Sequence, residues 1–217
     1  MLAMMVRTQW RWTRMVVLGI ATLALVFPTL ARYLARSAGA DGTLLQLLDG
    51  YTVLGPMLGF LALLGPFVLA ALPWTIDHET RHVYPLSLPV SWPWWVGTRF
   101  AIGAATLLIP AFALYIGALV TVSAVELPPL LHAYPGALAF RFLLASLVSY
   151  AMSFALQYLA GRRATHVALG ILVGVLIVVL VGTLLGLGAL VERAAGYLFI
   201  WPGPLSIFVE PWTLIDV

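Results

Sequence analysis

Long apolar runs separated by short polar stretches dominate the chain. Five of these runs are long enough to cross the roughly 30 Å hydrocarbon core of a bilayer as helices, for which about 20 apolar residues suffice. They cover residues 15–34, 51–74, 99–125, 138–160 and 167–191. The pattern predicts an all-α, polytopic helical membrane protein in which residues 1–217 form a single transmembrane domain.

Both ends of the chain depart from this pattern. Residues 1–14 carry Arg7, Arg11 and Arg14 on one helical stripe with tryptophans between them, which predicts an amphipathic helix in the membrane interface. Residues 197–217 contain prolines that break a continuous helix. That stretch is therefore expected to be a re-entrant or interfacial segment, or a short sixth segment.

Composition excludes several classes of protein. The chain is 63% hydrophobic and 9% charged, and its mean hydropathy of +1.05 is incompatible with a soluble domain. The net charge of +3 comes from dispersed arginines, whereas nucleic-acid binding needs clustered basic residues. No cysteine is present, so disulfides, cysteine-ligated metals and iron–sulfur clusters are excluded. Lysine is also absent, which excludes a P-loop ATPase. We expect no cofactor in this chain and no enzymatic activity of its own.

The arginines indicate an orientation. A cytoplasmic N-terminus places seven of them inside and four outside, in agreement with the positive-inside rule. The inner set is Arg7, Arg11, Arg14, Arg81, Arg99, Arg162 and Arg163, and the outer set is Arg32, Arg36, Arg141 and Arg193. Residues 75–98, which contain the longest polar interruption, are then a cytoplasmic loop.

One interpretation of this loop is a zinc site. Residues 78–82 spell HExxH, in which His78 and His82 would bind the metal and Glu79 would act as general base. The third ligand of a membrane zinc peptidase would be Asp49, in a Leu-Asp-Gly sequence that precedes the histidines instead of following them. The predicted spans separate Asp49 from His78 by a membrane thickness, so zinc is the weaker interpretation.

The other interpretation uses the whole segment. An acidic and basic start at Glu79 and Arg81, the Leu-Ser-Leu-Pro-Val-Ser sequence of residues 86–91, and Arg99 opening the next span resemble the permease subunits of type-2 ABC exporters. The resemblance covers the N-terminal helix, the five predicted spans and this loop. The chain departs from the family at Trp92, where an arginine is usual, and in its proline-broken C-terminal part.

The resemblance implies a function and partners. A short coupling helix from Asp77 to about Tyr84 would dock into a separate ABC ATPase subunit, and residues 89–91 would turn the chain back into the membrane. The implied coupling residues are Asp77, Glu79, Arg81, His82, Tyr84, Pro89 and Ser91. The protein would work with a second permease copy, among the lipids of a bacterial inner membrane, and export a hydrophobic or amphipathic substrate. The alternative is an accessory structural subunit of a larger membrane complex.

A polar stripe marks the fourth predicted span. Its members, spaced three, four and four residues apart, are Ser146, Ser149, Ser153 and Gln157. A substrate path and hydrogen bonding between helices explain it equally well. On the second span, the Gly55-x-x-x-Gly59 pattern predicts close helix packing, more often within one chain than between two.

Overall fold

A computed structural model describes residues 2–37, 43–79, 91–124, 132–163, 166–167, 170, 196–197, 203, 205–209, 212 and 214–216. Within them, four helical stretches are long and apolar enough to cross a membrane. These are Leu2–Leu30, Met57–Ile76, Trp92–Ser123 and Pro135–Ala160. The predicted helical fold with several possible spans is confirmed to this extent, whereas the predicted span 167–191 lies almost entirely outside the described residues.

The helices are longer than the apolar runs predict. They are α1 (Leu2–Ser37), α2 (Thr43–Glu79), α3 (Trp92–Thr106), α4 (Leu108–Ser123), α5 (Pro135–Ala160) and α6 (Ser206–Val209), with a 3₁₀ turn at Gly161–Arg163. Two short strands are β1 (His132–Ala133) and β2 (Ile215–Asp216). Helix α1 runs without a break past residue 14, so the predicted boundary between an interfacial helix and the first span is not a helix end. Helices α2 and α3 both extend into the predicted loop 75–98, which is therefore helical at both ends.

The third membrane-length stretch is divided at Leu107. Pro110 has no N–H to donate to the carbonyl of Thr106, and its ring crowds that carbonyl. The Leu107 N–H instead bonds the carbonyl of Ala104, three residues back. The Thr106 hydroxyl donates to the carbonyl of Gly103 at 2.6 Å. A tightened turn thus joins α3 to α4.

Small residues bring the helices close together. A Cβ atom on Gly117 of α4 would overlap the backbone carbonyl of Leu25 in α1, and one on Gly65 of α2 would overlap the side chain of Ile20. Helix α5 packs mainly against α2. The buried apolar side chains form two clusters, one around Leu58, Leu114 and Phe142 and the other around Trp74, Trp95 and Tyr150 at the loop end of the bundle.

The C-terminal segment returns to the helices. Strands β1 and β2 pair antiparallel, with Ala133 opposite Ile215. Trp212 is buried against α2, where a Cβ atom on Gly59 would overlap the carbonyl of Phe208 and approach the Trp212 indole nitrogen. The glycine pair of α2 therefore packs within the chain.

Arg141 of α5 holds this segment in place. Its Nε and Nη2 atoms donate to the carbonyl of Ile207 at 3.3 and 3.1 Å, and its guanidinium carbon lies 4.7 Å from the centroid of the Trp212 ring. The arginine count assigned Arg141 to the outer side of the membrane, near the start of the predicted span 138–160. Arg141 is a partly buried contact between α5 and the C-terminal segment.

Candidate functional site

Arg99 is buried between two tryptophans at the loop end of the bundle. Only 4% of the residue is exposed. Its guanidinium carbon lies 4.9 Å from the ring centroid of Trp74 and 4.6 Å from that of Trp95. The two indoles meet edge to face, with centroids 5.9 Å apart. A cation over an aromatic face contributes about 2 kcal/mol when desolvated.

The local sequence explains this arrangement. Ser91 is extended and precedes the first turn of α3, where Pro93 is tolerated because the first N–H groups of a helix have no partner within the helix. Trp95 and Arg99 are four residues apart and therefore share one helix face. Trp74 faces them from near the end of α2. The two helices that flank the polar loop are thus joined about two turns inside the bundle.

Two further helices meet at the same point. Gln9 of α1 donates from Nε2 to the backbone carbonyl of Arg99 at 3.3 Å, and it shares a side-chain hydrogen bond with Tyr150 of α5. Both side chains lie over Gly103 of α3, where a Cβ atom would overlap Tyr150 Oη. Glycine is thus required here for space. We call Gln9, Trp74, Trp95, Arg99 and Tyr150 the arginine cluster.

Aromatic side chains enclose the arginine cluster. Phe154 of α5 lies 5.4 Å from Trp74 and 5.2 Å from Phe100, measured between ring centroids and with edge-to-face geometry in both pairs. Phe100 lies 5.4 Å from Tyr150. Such apolar walls exclude water and lower the local dielectric, which strengthens the interactions of the buried cation.

The predicted coupling residues begin where α2 ends. Asp77 and Glu79 lie in the last turn of α2, which continues the second predicted span instead of starting a separate helix. Ser91 is exposed immediately before α3. The other predicted coupling residues, Arg81, His82, Tyr84 and Pro89, lie outside the described residues.

The zinc interpretation conflicts with the backbone. Asp49 and His78 lie on the same helix, α2. Their separation along it is about 40 Å at about 1.5 Å per residue, whereas zinc–ligand bonds are about 2 Å long. One ion cannot bind both residues. In the part of the chain that the structure describes, no group of three or more His, Cys, Asp or Glu side chains is placed to hold a metal. His82 lies outside that part.

The polar stripe of α5 faces α2. Ser149 donates to the carbonyl of Leu63, and Ser153 donates to the carbonyl of Phe67 at 2.8 Å. Gln157 is also buried, and Ser146 is fully buried with no hydrogen-bond partner for its Oγ among the described residues. Two members of the stripe thus form interhelical hydrogen bonds.

The sequence pattern did not predict most of the arginine cluster. The predicted boundaries put Trp95 in the loop 75–98 and Arg99 at the cytoplasmic opening of the span 99–125, whereas both side chains are buried among the helices. The four-residue spacing of Trp95 and Arg99 was a usable signal, because it puts a cation and an aromatic ring on one helix face. The contributions of Gln9, Gly103 and Tyr150 depend on contacts between distant helices and have no local signal.

Comparison with known proteins gives no match to a family model, a curated protein or a solved structure.

Proposed function

We propose that this chain is the permease subunit of a type-2 ABC exporter and that a separate ATPase subunit drives it. The contact of Arg99 with Trp74 and Trp95 is the observation that most supports this function. A permease must convert movement at a cytoplasmic loop into movement of its membrane helices. Here the helices on both sides of the loop are fastened to one buried cation.

The arginine cluster provides a route for such movement. Helix α2 ends at Glu79 and α3 begins at Trp92, so a partner docked on residues 80–90 would act on both helix ends. Arg99 makes α2 and α3 respond together. The contacts of Gln9 with Arg99 and Tyr150 then extend the displacement to α1 and α5. Packed side chains and hydrogen bonds are the usual carriers of such coupling.

We also propose that the chain works with a second permease copy and that its N-terminus is cytoplasmic. Ser149 and Ser153 are engaged in packing inside one chain. A path for a hydrophobic or amphipathic substrate would therefore run between two copies. The setting that the resemblance implies is a bacterial inner membrane.

Co-expression with the product of an ABC ATPase gene, where one neighbours the gene for this chain, tests the proposal. The two proteins should co-purify in detergent, and the chain alone should hydrolyse no ATP. Glu79→Ala and Arg81→Ala should weaken association, because truncating a buried charge at an interface costs on the order of 2–5 kcal/mol. Arg163→Ala is the matched control, since Arg163 is exposed on the other predicted inner loop. Failure of the ATPase to associate, or equal effects of all three variants, would contradict the proposal.

An accessory structural subunit of a larger membrane complex is the second candidate. The use of Ser149 and Ser153 hydroxyls as interhelical donors favours it, because these side chains stabilise the bundle and do not line a path. The two functions differ in partner. An accessory subunit would co-purify from native membranes with a complex that contains no ABC ATPase.

A further inference from the structure

The outward face of α1 near its N-terminus carries three exposed arginines. Arg7, Arg11 and Arg14 fall within an arc of about 60° on a helix of 3.6 residues per turn. Met5 and Gln9 occupy the opposite face and are buried in the bundle. The arginines therefore point away from the other helices.

The outward face of α1 changes from charged to apolar along the helix, and this change indicates what binds there. The first acidic residue of the chain is Asp41, so no carboxylate near in sequence neutralises the stripe. Farther along the same face, Leu18 and Leu25 are exposed. The stripe thus changes from cationic to apolar within one turn after Arg14. A face with this profile matches the boundary between lipid headgroups and acyl chains.

The neighbouring helix carries aromatic residues at the same end of the bundle. The hydrogen bond from Gln9 to the carbonyl of Arg99 puts the arginine stripe level with the part of α3 that follows its first turn, so the stripe begins just inside the level of that turn. Trp92 and Trp94, in the first turn of α3, are both exposed. Exposed tryptophans are typical of the headgroup level of a bilayer.

We propose that Arg7, Arg11 and Arg14 bind the phosphate groups of anionic phospholipids. A guanidinium forms paired hydrogen bonds with phosphate oxygens, and neighbouring arginines favour headgroups of net negative charge over zwitterionic ones. The acyl chains of the bound lipid lie along Leu18 and Leu25. This site does not depend on the permease function.

Thermal unfolding of the full chain in a neutral detergent tests the site. Added phosphatidylglycerol should raise the Tm by several degrees, and phosphatidylcholine should raise it much less. In R7Q/R11Q/R14Q the phosphatidylglycerol shift should fall by at least half. R7K/R11K/R14K, which keeps the charges, should retain most of it, and R163Q, which removes an exposed arginine elsewhere, should retain all of it.

Two further arms complete the test. Glycerol 3-phosphate, which has the phosphate but no acyl chains, should not reproduce the shift at equal concentration. Raising the salt from about 0.05 M to about 0.5 M should reduce it, because screening weakens exposed charge pairs.

Equal shifts with both lipids, or an undiminished shift in the glutamine variant, would overturn the proposal. So would arginine-dependent formation of a dimer in place of lipid binding. If the glutamine variant fails to fold, the lipid comparison and the salt series on the wild type decide the outcome.

Discussion

The guanidinium carbon of Arg99 lies 4.6 Å from the ring centroid of Trp95, its neighbour one turn earlier in α3, and Trp74 of α2 contacts the same cation. The two helices on either side of the polar loop are thus joined through one side chain. The contact lies beside the polar loop whose ends those helices form. The energetic coupling of this contact, the tightness of the packing around it and the orientation of the chain in the membrane can each be measured.

A double-mutant cycle measures the contact between Arg99 and Trp95. Arg99→Met and Trp95→Leu should each change the free energy of unfolding, and the double variant should differ from their sum by about 1–2 kcal/mol. Unfolding in detergent, followed by tryptophan fluorescence, gives the four free energies. The matched cycle with Trp94→Leu should be additive, because Trp94 is exposed. Additivity in both cycles would show that the cation–π contact contributes nothing.

Gly103 is the tightest point of the arginine cluster. Gly103→Ala should destabilise the protein by about 1–3 kcal/mol, because the added methyl group overlaps Tyr150 Oη. Tyr150→Phe should relieve part of the cost by removing that oxygen. Gly97→Ala, in the same helix, meets nothing within 4 Å and should be neutral or stabilising. The measurement is the unfolding midpoint in detergent. Equal costs at both glycines would contradict the close contact between Gly103 and Tyr150.

The three serines of the polar stripe should respond differently to alanine. Ser149→Ala and Ser153→Ala each remove an interhelical hydrogen bond and should cost about 0.6 kcal/mol, the average for such bonds in membranes. Ser146→Ala removes a buried hydroxyl that has no partner among the described residues and should be neutral or stabilising. Unfolding free energies of the three single variants make the comparison. A cost at Ser146 as large as that at Ser153 would mean that its hydroxyl has a partner.

Disulfide formation can report the attachment of the C-terminal segment. Ala133 and Ile215 are opposite each other in the antiparallel pair, at a separation that suits a disulfide. In this cysteine-free chain, A133C/I215C should cross-link efficiently under mild oxidation. Adding Arg141→Met should lower the yield, because it removes the hydrogen bonds to Ile207 and the contact with Trp212. G136C/I215C, at an exposed position outside the strand, is the low-yield control. An unchanged yield in the Arg141 variant would show that the strands alone hold the segment.

Labelling of single cysteines tests the proposed orientation. Ser91→Cys and Arg163→Cys should react with an impermeant thiol reagent only when the cytoplasmic side is accessible, whereas His132→Cys should react from outside. Ser91, Arg163 and His132 are exposed, so unhindered reaction is expected. Labelling of S91C from the outside would invert the topology and place the polar loop away from any cytoplasmic ATPase.

Local pattern was sufficient to predict the membrane helices but not their contacts. Apolar run length predicted helical segments within α1, α2, α3–α4 and α5, because a spanning helix must satisfy its backbone hydrogen bonds within itself. It ended the second helix before Glu79 and began the third after Trp92, because polar and aromatic residues continue a helix beyond the hydrocarbon. The break at Leu107 follows from Pro110, which a run-length criterion ignores.

The arginine cluster was less predictable because its partners are far apart in sequence. Gln9 and Arg99 are 90 residues apart, and their hydrogen bond exists only once α1 and α3 pack. Arg99 was assigned to the cytoplasmic opening of the span 99–125 from its charge alone, because arginines ordinarily lie at that end of a span. Two indole faces instead make a position inside the bundle favourable for a cation.

The contact of Trp212 with Gly55 and Gly59 can form only after the ribosome has synthesised residue 212. A ribosome completes α2 and α5 before it reaches residues 203–216, so during insertion these glycines have no indole against them. Phe208 and Trp212, which contact them, are synthesised later. A ribosome stalled before Trp212 would leave in the membrane a bundle with an unfilled face on α2. That face would distinguish a chain that lacks Trp212 from one that contains it for a membrane protease or chaperone that binds small-residue helix surfaces.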